Sequence, residues 1–190
     1  LPIYLEFGPI ELKNDQNADV LILSGDICVG KTFGPREDAF FQDVSNNFKN
    51  VVYVMGNHEH YGGKFWKTYT ELARVLPDNV TILENQCEEY EGVVFVGATL
   101  WTDMNRADPV TLAMIKDYMN DYRVITYNYP QYNAYHKMRP ADTVKMHYES
   151  KNYIEQTVRD HADKPVVVVT HMAPTFMSVN EKYRSEEHTS

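Results

Sequence analysis

Four short runs of consecutive apolar residues, at 20–23, 51–55, 93–96 and 166–169, end in polar or glycine-rich turns. Continuous β-branched runs without polar alternation suit strands covered on both faces, so each run predicts a buried strand. Between the runs the apolar period changes to three and four. Over 64–76, Phe65, Tyr69, Leu72, Ala73 and Leu76 recur at helical spacing and Pro77 marks the stop. Residues 37–48, a stretch near 110–119, and residues 142–162 predict three further helices, the last with Val144, Tyr148, Ile154, Val158 and Ala162 on one stripe. Strands alternating with helices predict an α/β fold with at least partly parallel sheets. Residues 118–140 carry Tyr122, Tyr127, Tyr129, Tyr132 and Tyr135 without either period. They predict a long surface loop that either shapes a pocket or packs on the core.

A chain of 190 residues with 43% hydrophobic composition can bury one core, so a single domain over 1–190 is expected. Its formal charge of -9 and the lack of a basic stripe disfavour a nucleic-acid polymer as substrate. Cys28 and Cys87 stand alone, which fits a reducing compartment and a cytoplasmic location. The apolar runs are strand-sized, so no membrane span is expected.

In parallel α/β sheets, ligand-binding residues gather beyond the carboxyl ends of the strands. Ser24-Gly25-Asp26 follows the first run, Gly56-Asn57-His58-Glu59 the second, and Thr170-His171-Met172-Ala173-Pro174 the fourth. Asp offers an anionic oxygen able to bridge two cations, Asn a neutral carbonyl oxygen, and His an imidazole nitrogen suited to zinc, iron or manganese. Glycines before Asp26 and Asn57 permit a sharp exit and a close approach. Singly, Gly-Asp is a common turn and one strand-end His a common core residue. Their joint order and strand context point to a site.

These elements resemble the calcineurin-like metallophosphoesterase superfamily, whose ordered signature is Asp-x-His, Gly-Asp, Gly-Asn-His-Asp/Glu, a later His, and Gly-His-x-His. The middle three match as Gly25-Asp26, Gly56-Asn57-His58-Glu59 and His171. Residues 97–103, 119–123 and 170–174 are also similar to a small bacterial and phage branch, in which a second His is expected where Met172 stands. The resemblance implies a four-layer αββα sandwich with two mixed β-sheets, incomplete at both termini. It implies a hydrolase of phosphate mono- or diesters that uses two divalent or mixed-valence metal ions (Mn, Fe or Zn) to clamp the phosphate and acidify a bridging water. Asp26 would bridge both ions, Asn57 and His171 would bind the second, and His58 would sit beside the phosphate as general acid. Glu59 would orient a neighbour, or else be a surface carboxylate.

The outer signature elements are absent. Pro2 and Tyr4 stand where the Asp-x-His ligands belong, and His188 lacks the closing context. Residues 184–190 are the codon-by-codon translation of a common sequencing-adapter strand, and residues 1–3 plus the first base of codon 4 match the end of the opposite adapter. Both ends are therefore expected to be foreign, with His the natural residue at position 4. A chain with those ends is expected to bind metal weakly and to be nearly inactive.

His60, His136, His147 and His161 match no motif; His147 and His161 are expected to be partly exposed or to favour the helix dipole. Asp103 and Asn105 are expected to reach the pocket or to cap the following helix. Two rival readings remain open: a binding module that keeps the fold without catalysis, and an unrelated α/β protein in which Asp26, Asn57 and His171 lie far apart.

Overall fold

The computed structural model describes residues 10–129 and 134–178. Along the chain its strands are β1 (Val20–Leu23), β2 (Asn50–Tyr53), β3 (Val80–Ile82), β4 (Gln86–Tyr90), β5 (Val93–Ala98), β6 (Thr126–Tyr129), β7 (Ala134–Lys137) and β8 (Val166–Thr170). Its helices are α1 (Pro35–Asn47), α2 (Phe65–Ala73), α3 (Pro109–Tyr118), the single turn α4 (Asp121–Val124) and α5 (Pro140–Asp160). The four predicted strands and four predicted helices are all present, with ends displaced by a few residues.

Among the described residues one sheet has the order β1-β2-β3 with parallel pairs; a second, β4-β5-β8, is mixed; and β6 pairs with β7 in a two-stranded sheet. Two mixed sheets were expected; among the described strands the second is mixed and the first is parallel. Its connections each carry a helix, and a crossover of that kind delivers the chain back in the same direction.

Burial on both faces explains the unbroken apolar runs. From β2, Val51 and Tyr53 point into a cluster with Phe40, Phe41 and Val44 of α1 and Leu72 of α2. Val52 points the other way, joining Val54 and Leu83 against Phe95 and Val169 of the second sheet. Beyond that sheet, Val96 and Ala98 meet Ile154 of α5. Each fully buried side chain of this size contributes about 1.5–3 kcal/mol, so β2 is anchored from both directions. Gly97 marks the tightest approach, where an added Cβ would lie 2.7 Å from both Leu83 Cβ and Val54 Cγ2.

The tyrosine-rich segment is not a loop. It holds α4 and the β6–β7 pair, whose Tyr127 packs on a cluster containing Trp101, Tyr122, Ile125 and Met138. Of its two sequence-based alternatives, core packing is the one seen for Tyr122 and Tyr127; Tyr132 lies outside the described residues. Strand β4 was also missed, because Gln86, Glu88 and Glu89 interrupt any apolar pattern. Its hairpin to β5 turns through Glu91 and Gly92, both at positive φ. Capping of α3 falls to Asp108, which accepts from the Thr111 N–H at 2.7 Å. Asp103 and Asn105 do not cap it; Asn105 sits in a left-handed turn spanning Met104–Ala107. Among the described residues no helix is long and apolar enough to cross a membrane, and Cys28 and Cys87 are both free.

The carboxyl ends of the two sheets are tied by Thr99. Its hydroxyl lies 2.8 Å from the Met55 carbonyl and 2.7 Å from Glu84 Oε2, and its N–H donates to the same carboxyl at 3.1 Å. Burial pushes the Glu84 carboxyl up to about 7, against the downward pull of the bonds that the Thr99 hydroxyl and N–H donate to it. A folded-state value above the ordinary 4.5 means the stabilisation is full below 4.5 and is lost as pH rises to about 7. Thermal melts from about pH 5 to about pH 8 should therefore show a falling midpoint, flattened in Glu84→Gln. Parallel curves for the two proteins would contradict this.

Candidate functional site

Strands β1 and β2 lie parallel with Leu23 opposite Tyr53, so the segments that follow them emerge side by side. Asp26 adopts a left-handed φ of 58°, which Asp tolerates better than most residues. After β2, Asn57 opens a 3-10 turn of His58–His60. The glycines permit close approach: a Cβ on Gly25 would overlap the His171 ring, and one on Gly56 would overlap Asp26 Oδ1. From the second sheet, β8 delivers His171, and the Met172 N–H donates to the Thr99 carbonyl at 3.1 Å.

Asp26, Asn57, His58 and His171 come together. His171 Nε2 lies 3.2 Å from Asn57 Oδ1 and 3.5 Å from Asp26 Oδ1. His58 Nδ1 lies 3.3 Å from Asp26 Oδ2, and the His58 N–H donates to Asp26 Oδ1 at 3.1 Å. This convergence overturns the reading in which the three strand-end residues lie far apart. Met172 turns away, onto the Trp101 cluster.

The polarity of the cluster bears on what it can hold. His171 Nδ1 lies 2.9 Å from the Ser24 carbonyl oxygen, which can only accept, so the ring proton belongs on Nδ1 and Nε2 is left with its lone pair. The Asn57 amide directs its Nδ2–H to the Tyr61 hydroxyl at 3.3 Å and its oxygen toward His171. Three lone pairs, on Asp26 Oδ1, Asn57 Oδ1 and His171 Nε2, therefore face one another without a hydrogen between them. A cation satisfies such a set, and its mixed oxygen and imidazole chemistry suits manganese, iron or zinc. Among the described residues no group of three or more His, Cys, Asp or Glu is arranged to hold a metal ion; here the third donor is an amide. Pro2, Tyr4 and His188 lie outside the described residues.

Glu59 is no surface carboxylate. It is fully buried, and five donors converge on it: the N–H groups of Asp26 (3.1 Å), Ile27 (2.7 Å), Cys28 (3.3 Å) and Gly56 (2.7 Å), and the Tyr53 hydroxyl (2.7 Å). It thus clamps the segment after β1 to the segment after β2. Burial raises its carboxyl above the usual range, the Tyr53 bond pulls it down, and the nearby Asp26 charge adds to the rise. The alternative that Glu59 orients its neighbours is the one the geometry matches.

The other histidines serve elsewhere. His60 is buried and stacked on Phe65 at 4.3 Å, and desolvation lowers its imidazole to about 3. His147 Nδ1 bonds the Leu100 carbonyl at 3.0 Å, His161 Nδ1 bonds the Thr157 carbonyl at 2.9 Å at the end of α5, and His136 Nδ1 bonds the Lys137 carbonyl at 2.6 Å. Ser24, Tyr61 and, through Tyr61, Asp121 reach the cluster without having been singled out. Only a residue's spacing is legible in a chain, and these act through contacts made in space.

Glu59→Gln would place amide hydrogens among groups that are themselves donors. The variant should lose about 2–3 kcal/mol of stability in urea unfolding. A loss below about 0.5 kcal/mol, the range of ordinary surface substitutions, would show that the clamp does not hold.

An uncharacterized protein of Acanthamoeba polyphaga mimivirus is 30% identical to this chain over 175 residues, which is 87% of this chain and 59% of the viral protein. The chain thus spans less than two thirds of that relative's length. No solved structure matches the chain. The calcineurin-like phosphoesterase (Metallophos) family profile matches residues 6–190. A match that begins before β1 and continues past the His171 turn takes in every strand of both sheets, and on that extent the chain belongs to the calcineurin-like phosphoesterase family.

Proposed function

We propose that this chain carries the catalytic centre of a metal-dependent hydrolase acting on a phosphate mono- or diester of a small molecule. The observation that carries the reading is the facing of three lone pairs, on Asp26 Oδ1, Asn57 Oδ1 and His171 Nε2, at 3.2–3.5 Å around the His171 nitrogen. Those residues would hold one ion, and Asp26 would also serve the second ion that the family resemblance implies. Bound there, a divalent cation would supply positive charge that neutralises a phosphate oxygen and acidifies water.

The protein's own part follows from the contacts. Asp26 accepts from the His58 backbone N–H and its carboxylate lies 3.3 Å from the ring Nδ1, so the imidazole is kept beside the carboxylate before substrate arrives. A general-acid role would need the His58 ring protonated, with the Nε2 proton passing to the departing oxygen and the ring left neutral. The Ser24 carbonyl keeps the His171 tautomer and ring plane constant. The packing order of α1 and α2, the first sheet, the second sheet and α5 supports a single domain built as a four-layer αββα sandwich, with the site at the carboxyl ends of both sheets. A net charge of -9 supports a small phosphorylated substrate over a nucleic-acid polymer.

The test is hydrolysis of paired phosphomonoester and phosphodiester chromogenic substrates with added manganese, using the full-length reading frame that contains this chain. His58→Ala should lower kcat by about 10²- to 10⁴-fold, and Asp26→Ala should abolish both turnover and manganese binding. Manganese binding without turnover, unchanged in His58→Ala, would point instead to a binding module that keeps the fold.

A further inference from the structure

We infer that Tyr61, oriented by the buried carboxylate of Asp121, is a positioning residue that sets which end of the Asn57 amide faces the cation site and holds the His58 ring beside it. This inference rests on the metal-site reading above and extends it to two residues outside the family motif.

The case is one of hydrogen-bond polarity. The Asn57 amide is nearly symmetric in shape, and turned by half a rotation it would present N–H hydrogens to the cation site. The Tyr61 hydroxyl stands 3.3 Å from Asn57 Nδ2 and 3.3 Å from Asp121 Oδ2. A carboxylate can only accept, so the single hydroxyl hydrogen goes to Asp121 and the Tyr61 oxygen is left as an acceptor. Asn57 must then offer its NH₂ to Tyr61, which leaves Oδ1 toward His171 and Asp26. The same tyrosine ring lies 4.4 Å from the His58 ring at an interplanar angle of 60°, closing one side of it.

Asp121 is costly for a merely structural residue. It is 2% exposed, and its Oδ1 is buried with no hydrogen-bond partner among the described residues. A buried carboxylate with so few donors destabilises the fold, and an under-satisfied group of this kind calls for a functional explanation. Its position follows from α4, which places Asp121 in the first turn behind the site.

The experiment is calorimetric titration of manganese into the protein from the full-length reading frame that contains this chain and into four variants of it, with melting curves for each. Tyr61→Phe should weaken manganese about 10-fold or more, in line with other outer partners of metal ligands, while Asp121→Asn, which keeps a carbonyl acceptor, should lose less. Tyr122→Phe is the control: it deletes another buried hydroxyl, one bonded to Thr143 at 3.2 Å rather than to Asn57. It should lower the melting temperature yet leave manganese affinity within about twofold. In the active protein, Tyr61→Phe should raise the manganese concentration for half-maximal rate and change kcat at saturating manganese far less. Equal affinities for Tyr61→Phe and Tyr122→Phe, with binding still lost in Asn57→Ala, would overturn the positioning role alone. Binding unaffected by Asn57→Ala, or absent from the unsubstituted full-length protein, would overturn it together with the metal-site reading.

Discussion

One buried carboxylate holds the functional end of this fold together. Glu59 is withdrawn from water among four backbone N–H groups and the Tyr53 hydroxyl, and the donors come from both sides of the β1–β2 seam. Removing a charge from water costs several kcal/mol, and only a nearly complete set of donors offsets it. The consequence is geometric. Because the segment after β1 and the segment after β2 share one anion, they cannot move apart without exposing five unpaired donors or re-solvating the carboxylate. Asp26 is thereby kept at a left-handed φ with its side chain against His58 and His171. The Cys28 thiol is pushed up by burial first and by the Glu59 charge next, so it stays a neutral neighbour.

The sheets supply the rest of the constraint. Parallel pairing of β1 with β2 puts two carboxyl ends in register, while the second sheet brings β8 to the same edge of the molecule. Thr99 joins that sheet to Met55, and His171 reaches across to the Ser24 carbonyl. Gly25 and Gly56 matter because side chains there would occupy the volume of the His171 ring and of the Asp26 carboxylate. The site is therefore a property of two sheets meeting at their carboxyl ends, the place where α/β sheets generally bind ligands.

Much of this was legible in the chain because burial on both faces writes a long apolar run, as at Val51, Val52, Tyr53 and Val54. The donor residues were legible for a related reason, since each directly follows such a run. Strands that are partly solvated left weaker marks: Gln86-Cys87-Glu88-Glu89-Tyr90 pairs through its backbone, and its side chains reveal little. The strand of Tyr127 leaves a weak mark because Thr126 and Asn128 interrupt any apolar run. The functions of Glu59 and Tyr61 were harder still. Whether an acid beside a histidine is solvated or enclosed depends on the loop thirty residues earlier, and the hydroxyl of Tyr61 meets Asp121 sixty positions later in the chain.

The most direct test is a crystal structure of the protein from the full-length reading frame grown with manganese, with anomalous scattering used to locate the ion. The expected result is a peak at about 2.0–2.3 Å from Asp26 Oδ1, Asn57 Oδ1 and His171 Nε2. A peak elsewhere, or none at saturating manganese, would contradict the convergence of these three strand ends on a metal centre.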